Sequence, residues 1–262
     1  MSLSEKELQE SFIWERTNQY SSYGEILGYY QALSVIDNCA GRNSLLDLAC
    51  GDGYNTECFS KHFSKVVGVD ASGVHLEKAR KRLPNIVFHE TLIEDLDINE
   101  KFDCVTMINV LEHVQYPEIV LQKAASFLED DGVLIVHVPN SEAVNRKISV
   151  LMGNLIKCDE LSPFDINVAG HRRYYNTSSL KDEVTSAGLD VVNTGGVFYK
   201  SLSTPQMDWL LKSDLWNEGG FGWGREGGEK KDWRIEFCRA SYEFGKEHPE
   251  DCNIVFVVAM IK

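Results

Sequence analysis

The run Leu45–Thr56, LLDLACGDGYNT, carries an acid, Asp47, into a turn of small residues, Ala49, Gly51 and Gly53. Glycine tolerates positive φ and lets a ligand come close to the backbone. The next apolar run, Lys65–Asp70 (KVVGVD), also ends on an acid. A carboxylate at that place accepts hydrogen bonds from both hydroxyls of a ribose. A small-residue turn followed by a strand-end acid therefore specifies a nucleoside-type ligand at the carboxyl ends of the strands. The dinucleotide fingerprint G-x-G-x-x-G is broken, because Thr56 stands at its third glycine. Asp47 and Asp52 also place negative charge where a pyrophosphate would lie, which is unfavourable for phosphate but tolerable for a ligand bearing an ammonium and a sulfonium. Tyr242 and Lys246 have the Tyr-x-x-x-Lys spacing of a dehydrogenase pair, but they lie in the C-terminal insertion and read as coincidence.

Two histidines stand in runs that suit chemistry. His171 opens His-Arg-Arg-Tyr-Tyr175, and histidine is the side chain best poised for proton transfer near neutral pH. Arg172 and Arg173, conspicuous in an acidic chain, together with Tyr175 suit an acceptor carrying a carboxylate or phosphate. The alternative reading of this run is an anchor for a lid. His113 follows Glu112, but no second ligand falls at i+3 or i+4, so no metal is expected. Bracing a ligand pocket is the reading of His113, with acid–base work the lesser alternative.

The elements that must position these residues follow from the pattern. Short apolar runs at 44–49, 65–70, 85–89, 102–109 and 132–138 predict strands, alternating with amphipathic stretches that predict helices at 73–83 and 117–128. Continuous apolar strands in such alternation mean a parallel sheet covered on both faces. Residues 178–187 predict a further helix, and 189–199 and 253–261 two more strands. A helical cover is expected over 1–40, with insertions at 141–170 and 200–250 around one domain spanning 1–262. The glycine-aromatic stretch EGGFGWGREGG, with Phe221 and Trp223, reads as a lid or as a surface loop.

Composition sets outer limits. The 262 residues carry a net charge of −14 with 43% hydrophobic residues, which suits a globular core and disfavours a nucleic-acid partner. No apolar run is long enough to span a membrane, and the polar N-terminus does not read as a signal peptide. Seven scattered cysteines without a CxxC pair read as reduced thiols of a cytoplasmic protein. Oligomeric state is not legible.

At its motifs the sequence resembles class I S-adenosylmethionine-dependent methyltransferases, above all the group that includes ubiquinone and menaquinone methyltransferases. Asp47-Leu-Ala-Cys-Gly-Asp-Gly matches that family's first motif and Val67-Gly-Val-Asp70 its second. Phe102-Asp-Cys-Val with Asn109-Val-Leu-Glu-His-Val matches the fourth-strand motif, and Asp131–Asn140 resembles the fifth strand. The resemblance covers roughly residues 40–200. It implies a Rossmann-like, doubly wound seven-stranded α/β sheet, mostly parallel, with an antiparallel last strand and helices on both faces.

It also implies roles. Asp47, Ala49, Gly51 and Gly53 would hold the methionyl part of S-adenosyl-L-methionine. Asp70, with Ala71 beside it, would take the ribose, and Asn109 would lie at the sulfonium end. The family's usual acid near adenine is replaced by Leu92, so backbone groups of Leu92 and Ile93, or the side chains of Glu94 or Asp95, would serve. Tyr20, Tyr23 and Tyr29 could shield the sulfonium with aromatic faces. The expected function is methyl transfer to an oxygen or nitrogen of a small-molecule acceptor, leaving S-adenosyl-L-homocysteine. A non-catalytic S-adenosylmethionine-binding regulator and a protein methyltransferase stay open beside it.

Overall fold

The computed structural model describes residues 4–11, 22–213 and 233–262. Its seven strands are β1 (Ser44–Leu48), β2 (Lys65–Asp70), β3 (Val87–Glu90), β4 (Phe102–Ile108), β5 (Leu128–Pro139), β6 (Leu189–Tyr199) and β7 (Cys252–Ile261). They form one sheet in the order β3-β2-β1-β4-β5-β7-β6. Pairs from β3 through β5 are parallel, whereas β7 runs antiparallel to both β5 and β6. The order turns back on itself at β1, where β2 and β4 lie on either side. Such a crevice is where open α/β sheets take their ligands.

The period-2 geometry of the strands sorts residues into two cores. Along β5, Leu134, Val136 and Val138 enter one core, while Val133 and Ile135 enter the other. The first core is closed by α5 (Pro117–Ala125) and α7 (Thr177–Ser186), through Val120, Leu121, Leu180 and Val184. The second is closed by α2 (Tyr23–Asn38), α3 (Tyr54–Ser60), α8 (Thr204–Leu211) and α9 (Trp233–Glu247). Tyr23, Ile26, Phe59, Met207 and Cys238 pack there, each buried side chain of this size contributing about 1.5–3 kcal/mol. The helix α4 (Gly73–Arg82) packs Leu76 and Ala79 on Cys50 and Phe88. The short α1 (Glu5–Ser11) meets the domain through Lys6–Glu90 and Arg172–Glu5 ion pairs.

Several expected boundaries move. The third strand begins at Val87, two residues later than its apolar run suggests. The helix expected to reach residue 128 ends at Ala125, because Leu128 already pairs with Phe102 as the start of β5. A register shift then separates the Phe102 and Cys104 pairings. Gly132 is required there, since a Cβ would sit 2.9 Å from the Glu129 carbonyl oxygen. The 141–170 segment contains its own helix, α6 (Val144–Leu151), and a π-turn, Asp165–Ala169. Tyr20, Phe221 and Trp223 lie outside the described residues.

Candidate active site

The turn after β1 enters the left-handed region at Ala49 (φ 60°), Gly51 (φ 56°) and Gly53 (φ 77°). A Cβ on Gly51 would meet nothing within 4 Å, so its backbone faces open cavity. A Cβ on Gly53 would lie 3.1 Å from the Ala79 side chain, so that glycine lets α4 approach. Asp47 is 2% exposed and accepts a hydrogen bond from the Thr56 hydroxyl at 2.6 Å. Thr56, the residue that breaks the dinucleotide pattern, thus orients the acid at the end of β1.

Asp70 locks the turn from the neighbouring strand. Its Oδ2 accepts the Gly51 amide and its Oδ1 the Ser72 amide, both at 2.8 Å. Burial pushes its carboxyl up, against the pull of these two amides. Each oxygen keeps lone-pair capacity for a diol. Asn109, at the end of β4, has φ 56° and exchanges hydrogen bonds with Gln31 of α2 at 3.1 and 3.3 Å.

These residues line a cavity of about 660 Å3 that continues past Asn109 toward the 141–170 insertion. A smaller hollow of about 80 Å3 adjoins it, formed by Ala71, Leu92, Ile93, Glu94 and Val110 among others. Asp70, Asn109 and His113 border both spaces.

The far part of the cavity carries titratable groups. Glu112 is completely buried and neither of its carboxyl oxygens has a hydrogen-bond partner. Burial raises its carboxyl to about 8, so it is a neutral acid near pH 7. His113 Nδ1 donates to the Gly170 carbonyl at 3.2 Å, which leaves Nε2 as the bare nitrogen, 3.7 Å from Glu112 Oε1. The His171 ring meets the His113 ring edge-on at 5.1 Å. Burial depresses both imidazoles to about 4, so neither is protonated at neutral pH. Glu112, His113 and His171 bring ligand-capable atoms within 4.8 Å of one another. No ligand stands at i+3 or i+4 from His113; the π-turn and Gly170 (φ 74°) instead deliver His171 from a distant part of the chain.

Behind His171 stands a polar network. The Tyr174 hydroxyl donates to Asp165 at 2.8 Å, and Arg146 lies over the Tyr174 ring at 4.0 Å. Arg146 also donates to Asp165 and to the carbonyls of Cys158 and Glu160. Burial alone would raise the Asp165 carboxyl, but hydrogen bonds from Ser162 and Tyr174 and the Arg146 charge hold it below the usual range.

Comparison with known proteins bears on this site. Residues 23–194 match the family model described as a methyltransferase domain. The chain belongs to that methyltransferase family. A ubiquinone biosynthesis O-methyltransferase of Bradyrhizobium diazoefficiens is 32% identical over 182 residues, covering 68% of this chain and 69% of that protein. The enzyme of the same description from Nitrobacter winogradskyi is 25% identical over 185 residues, covering 68% and 67%. A Thermotoga maritima structure, described as an S-adenosylmethionine-dependent methyltransferase and possible histamine N-methyltransferase, shares the fold with TM-score 0.59. It is 18% identical and covers 99% of this chain and all of its own.

The protein is thus an S-adenosylmethionine-dependent methyltransferase, and its turn fits that cofactor. Gly51 leaves its side of the turn open, Asp70 presents two carboxylate oxygens, and the buried Asn55 Oδ1 on the cavity wall has no partner. Asp47, Ala49, Gly51, Asp70 and Asn109 come together on the large cavity, while Ala71, Leu92 and Ile93 form the adjoining hollow. Gly53 stands behind the turn. Tyr23 lines the large cavity; Tyr29 instead packs edge-on against Tyr30. His113 and His171 reach the cavity.

The residues expected to bind the acceptor are placed elsewhere. Arg172 pairs with Glu5 at 2.8 Å. Arg173 donates to the carbonyls of Leu111, Val114 and Gln115. Tyr175 is buried, with its hydroxyl on Glu183. None of the three lines the cavity, where Arg146 and Lys200 are the arginine and lysine among the described residues. The Glu5 partner of Arg172, the carbonyl partners of Arg173 and the arrival of Arg146 and Lys200 at one cavity are not visible in local spacing. Lys200 did carry one signal: it stands just beyond a strand's carboxyl end. Tyr242 stacks on Tyr30 at 4.7 Å, as a packing residue.

Proposed function

We propose that this methyltransferase acts on a small molecule, with oxygen as the preferred acceptor atom. The observation that carries the reading is the continuity of one cavity from the glycine turn to the buried Glu112–His113–His171 group. A volume of about 660 Å3 lies within the usual roughly 300–1,000 Å3 of small-ligand sites. The relatives' printed role in ubiquinone biosynthesis supports O-methylation. Seven cysteines, none of them in a disulfide, support a reducing, cytoplasmic setting. Among the described residues, no helix is long and apolar enough to cross a membrane.

S-adenosylmethionine, when bound, supplies a sulfonium methyl as the electrophile. The chain's work is to hold the two reactants in line and exclude water, which positioning makes worth several kcal/mol. Asp70 would bind the ribose hydroxyls, with Gly51 and Ser72 fixing its orientation. Asn109 would order the methionyl end. His171, its Nδ1 buried without a partner, would take the proton of an acceptor hydroxyl, directly or through the bare Nε2 of His113. An imidazole near 4 is always in its base form at pH 7, though weak, so a polarised or acidic hydroxyl is the fitting acceptor.

A second reading has one observation behind it: the Glu112, His113 and His171 ligand atoms suit a divalent cation that would polarise the hydroxyl instead. The test is turnover with S-adenosylmethionine over a panel of phenols, sugars and amines, repeated for His171→Ala with and without added Mg2+. Methylation of a small hydroxyl compound supports the proposal. Cofactor binding with no turnover over the panel favours the regulatory reading, and transfer only to protein favours the protein methyltransferase.

A further inference from the structure

Lys200 follows β6 directly, two residues after Phe198, an aromatic held at φ 66° in the left-handed region. A bulky residue there is strained, and it is held in place by pairing to β7 on both sides, at Val197 and Tyr199. The lysine that emerges is 4% exposed and lines the cavity. Its Nζ donates to the Thr204 hydroxyl at 3.0 Å and lies 4.3 Å from the centre of the Tyr23 ring. Among the described residues, no carboxylate forms an ion pair with it. A buried ammonium with a hydroxyl and a ring for company lacks a counter-charge, which is costly unless a ligand supplies one. Burial accordingly lowers it to about 7, with Asp208 and Asp165 pulling upward and Arg146 downward.

The sheet order locates this cation. Strand β6 stands four neighbours from β1, about 19 Å at the usual strand spacing, and three from β4. On the sheet, Lys200 is therefore displaced from the glycine turn toward β6. The other cation, Arg146, already serves Asp165 and two carbonyls, whereas Lys200 has donors to spare. Among the described residues this leaves one available lysine or arginine, in a cavity also lined by Asp47, Asp52, Asp70 and Asp165, which matches one negative charge and not two.

We propose that Lys200, set by Thr204 and Tyr23, is a specificity-determining residue that binds a carboxylate on the methyl acceptor. This rests on the small-molecule reading above. The substrate class is then hydroxylated carboxylic acids, the hydroxyl toward Asn109 and His171 and the acid toward β6.

The test uses the full chain saturated with S-adenosylhomocysteine and two pairs of probes of different length. They are 3,4-dihydroxybenzoate and 3,4-dihydroxycinnamate, each against its own amide, titrated calorimetrically near pH 7. At least one acid is expected to bind at least about tenfold more tightly than its amide, the least a buried charged hydrogen bond provides. Titration in buffers of different ionisation heat should show uptake of about half a proton, because the lysine near 7 becomes fully charged. In Lys200→Met the preference should fall to about twofold or less, with homocysteine-cofactor affinity unchanged. The preference and proton uptake in the unaltered protein decide the matter even if that variant fails to fold. Equal binding of acid and amide, no proton uptake, or a preference that survives in Lys200→Met overturns the proposal. So does tighter binding of the matching phosphate ester, which calls for a dianion site. Failure to bind S-adenosylhomocysteine at all overturns the methyltransferase reading as well, and that outcome is distinct from the others.

Discussion

Gln31 and Asn109 face each other amide to amide, Gln31 Nε2 donating at 3.1 Å and Asn109 Nδ2 donating back at 3.3 Å. One residue belongs to the helix that covers the sheet and the other to the end of β4, so the pair fastens the cover to the place where the methionyl end is proposed to lie. Asn109 also holds φ 56°, which asparagine tolerates better than most residues. Asn109→Gly and Asn109→Ala should both weaken S-adenosylhomocysteine binding by about tenfold. Asn109→Ala should in addition lose about 1 kcal/mol of stability relative to Asn109→Gly, from backbone strain alone. Calorimetric titration and urea unfolding separate the two effects; equal stability of the two variants would count against the strain.

Asp70 locks Gly51 with one carboxylate oxygen and is proposed to offer its remaining lone pairs to the ribose. Asp70→Asn retains an acceptor for one amide but loses the charge, and Asp70→Ala loses both. We expect about a hundredfold loss of S-adenosylhomocysteine affinity for Asp70→Ala and an intermediate loss for Asp70→Asn, measured by titration. Wild-type affinity in Asp70→Ala would remove this residue from the cofactor site.

The pH dependence of stability follows from buried groups with opposite shifts. Glu112 is raised to about 8, so its neutral form is favoured on folding. Its contribution is whole below its unfolded value and declines as pH rises to and through about 8. His113 and His171 at about 4 and His137 at about 3 are depressed, so protonation of the unfolded chain erodes stability as pH falls below about 6.5. Lys200, lowered to about 7, adds stability as pH rises from there toward its unfolded value and offsets the Glu112 decline between about 7 and 8, so stability is expected to climb from acid pH and level off around neutrality. In Glu112→Gln the slope of stability against pH between about 5 and 8 should become more positive by about 1 kcal/mol per pH unit, read from urea unfolding midpoints. An unchanged slope would mean that Glu112 folds as the anion.

His171→Ala should lower kcat by about a hundredfold on any acceptor hydroxyl that supports turnover, the lower range of general-base effects. Affinity for S-adenosylhomocysteine should stay within about twofold, since His171 lies beyond the turn and Asp70. A parallel loss of cofactor affinity would assign His171 to binding.

Legibility in the sequence tracked the distance over which a physical rule acts. Strand periodicity and the turn chemistry of Ala49, Gly51 and Gly53 are local, and a sheet covered on both faces and an open glycine turn could be read from them. Boundaries failed where tertiary pairing overrode the helical pattern, as at Leu128, which joins Phe102 in the sheet. The acceptor end was harder. Arg172 and Arg173 were conspicuous because they are adjacent, yet adjacency in the chain sends their side chains to different partners. Gln31, Arg146 and Lys200 meet the site through strand order and a helical cover, which no short window of sequence encodes.

Arg173 gives the sharpest contrast with the expectation drawn from its charge. Its guanidinium satisfies the carbonyls of Leu111, Val114 and Gln115, the chain segment that carries Glu112 and His113. Lysine is a point donor and cannot span three carbonyls, so Arg173→Lys is not a conservative change here. Arg173→Ala and Arg173→Lys should each lower stability, by about 2 kcal/mol and about 1 kcal/mol respectively, as backbone acceptors lose charged donors. If Arg173 bound the acceptor, its loss would raise KM while kcat and Tm stayed put. The expected pattern is the opposite: lower Tm, lower kcat through a loosened Glu112–His113 segment, and a KM little changed. A rise in KM alone, measured with an acceptor carrying a carboxylate, would return Arg173 to the acceptor site.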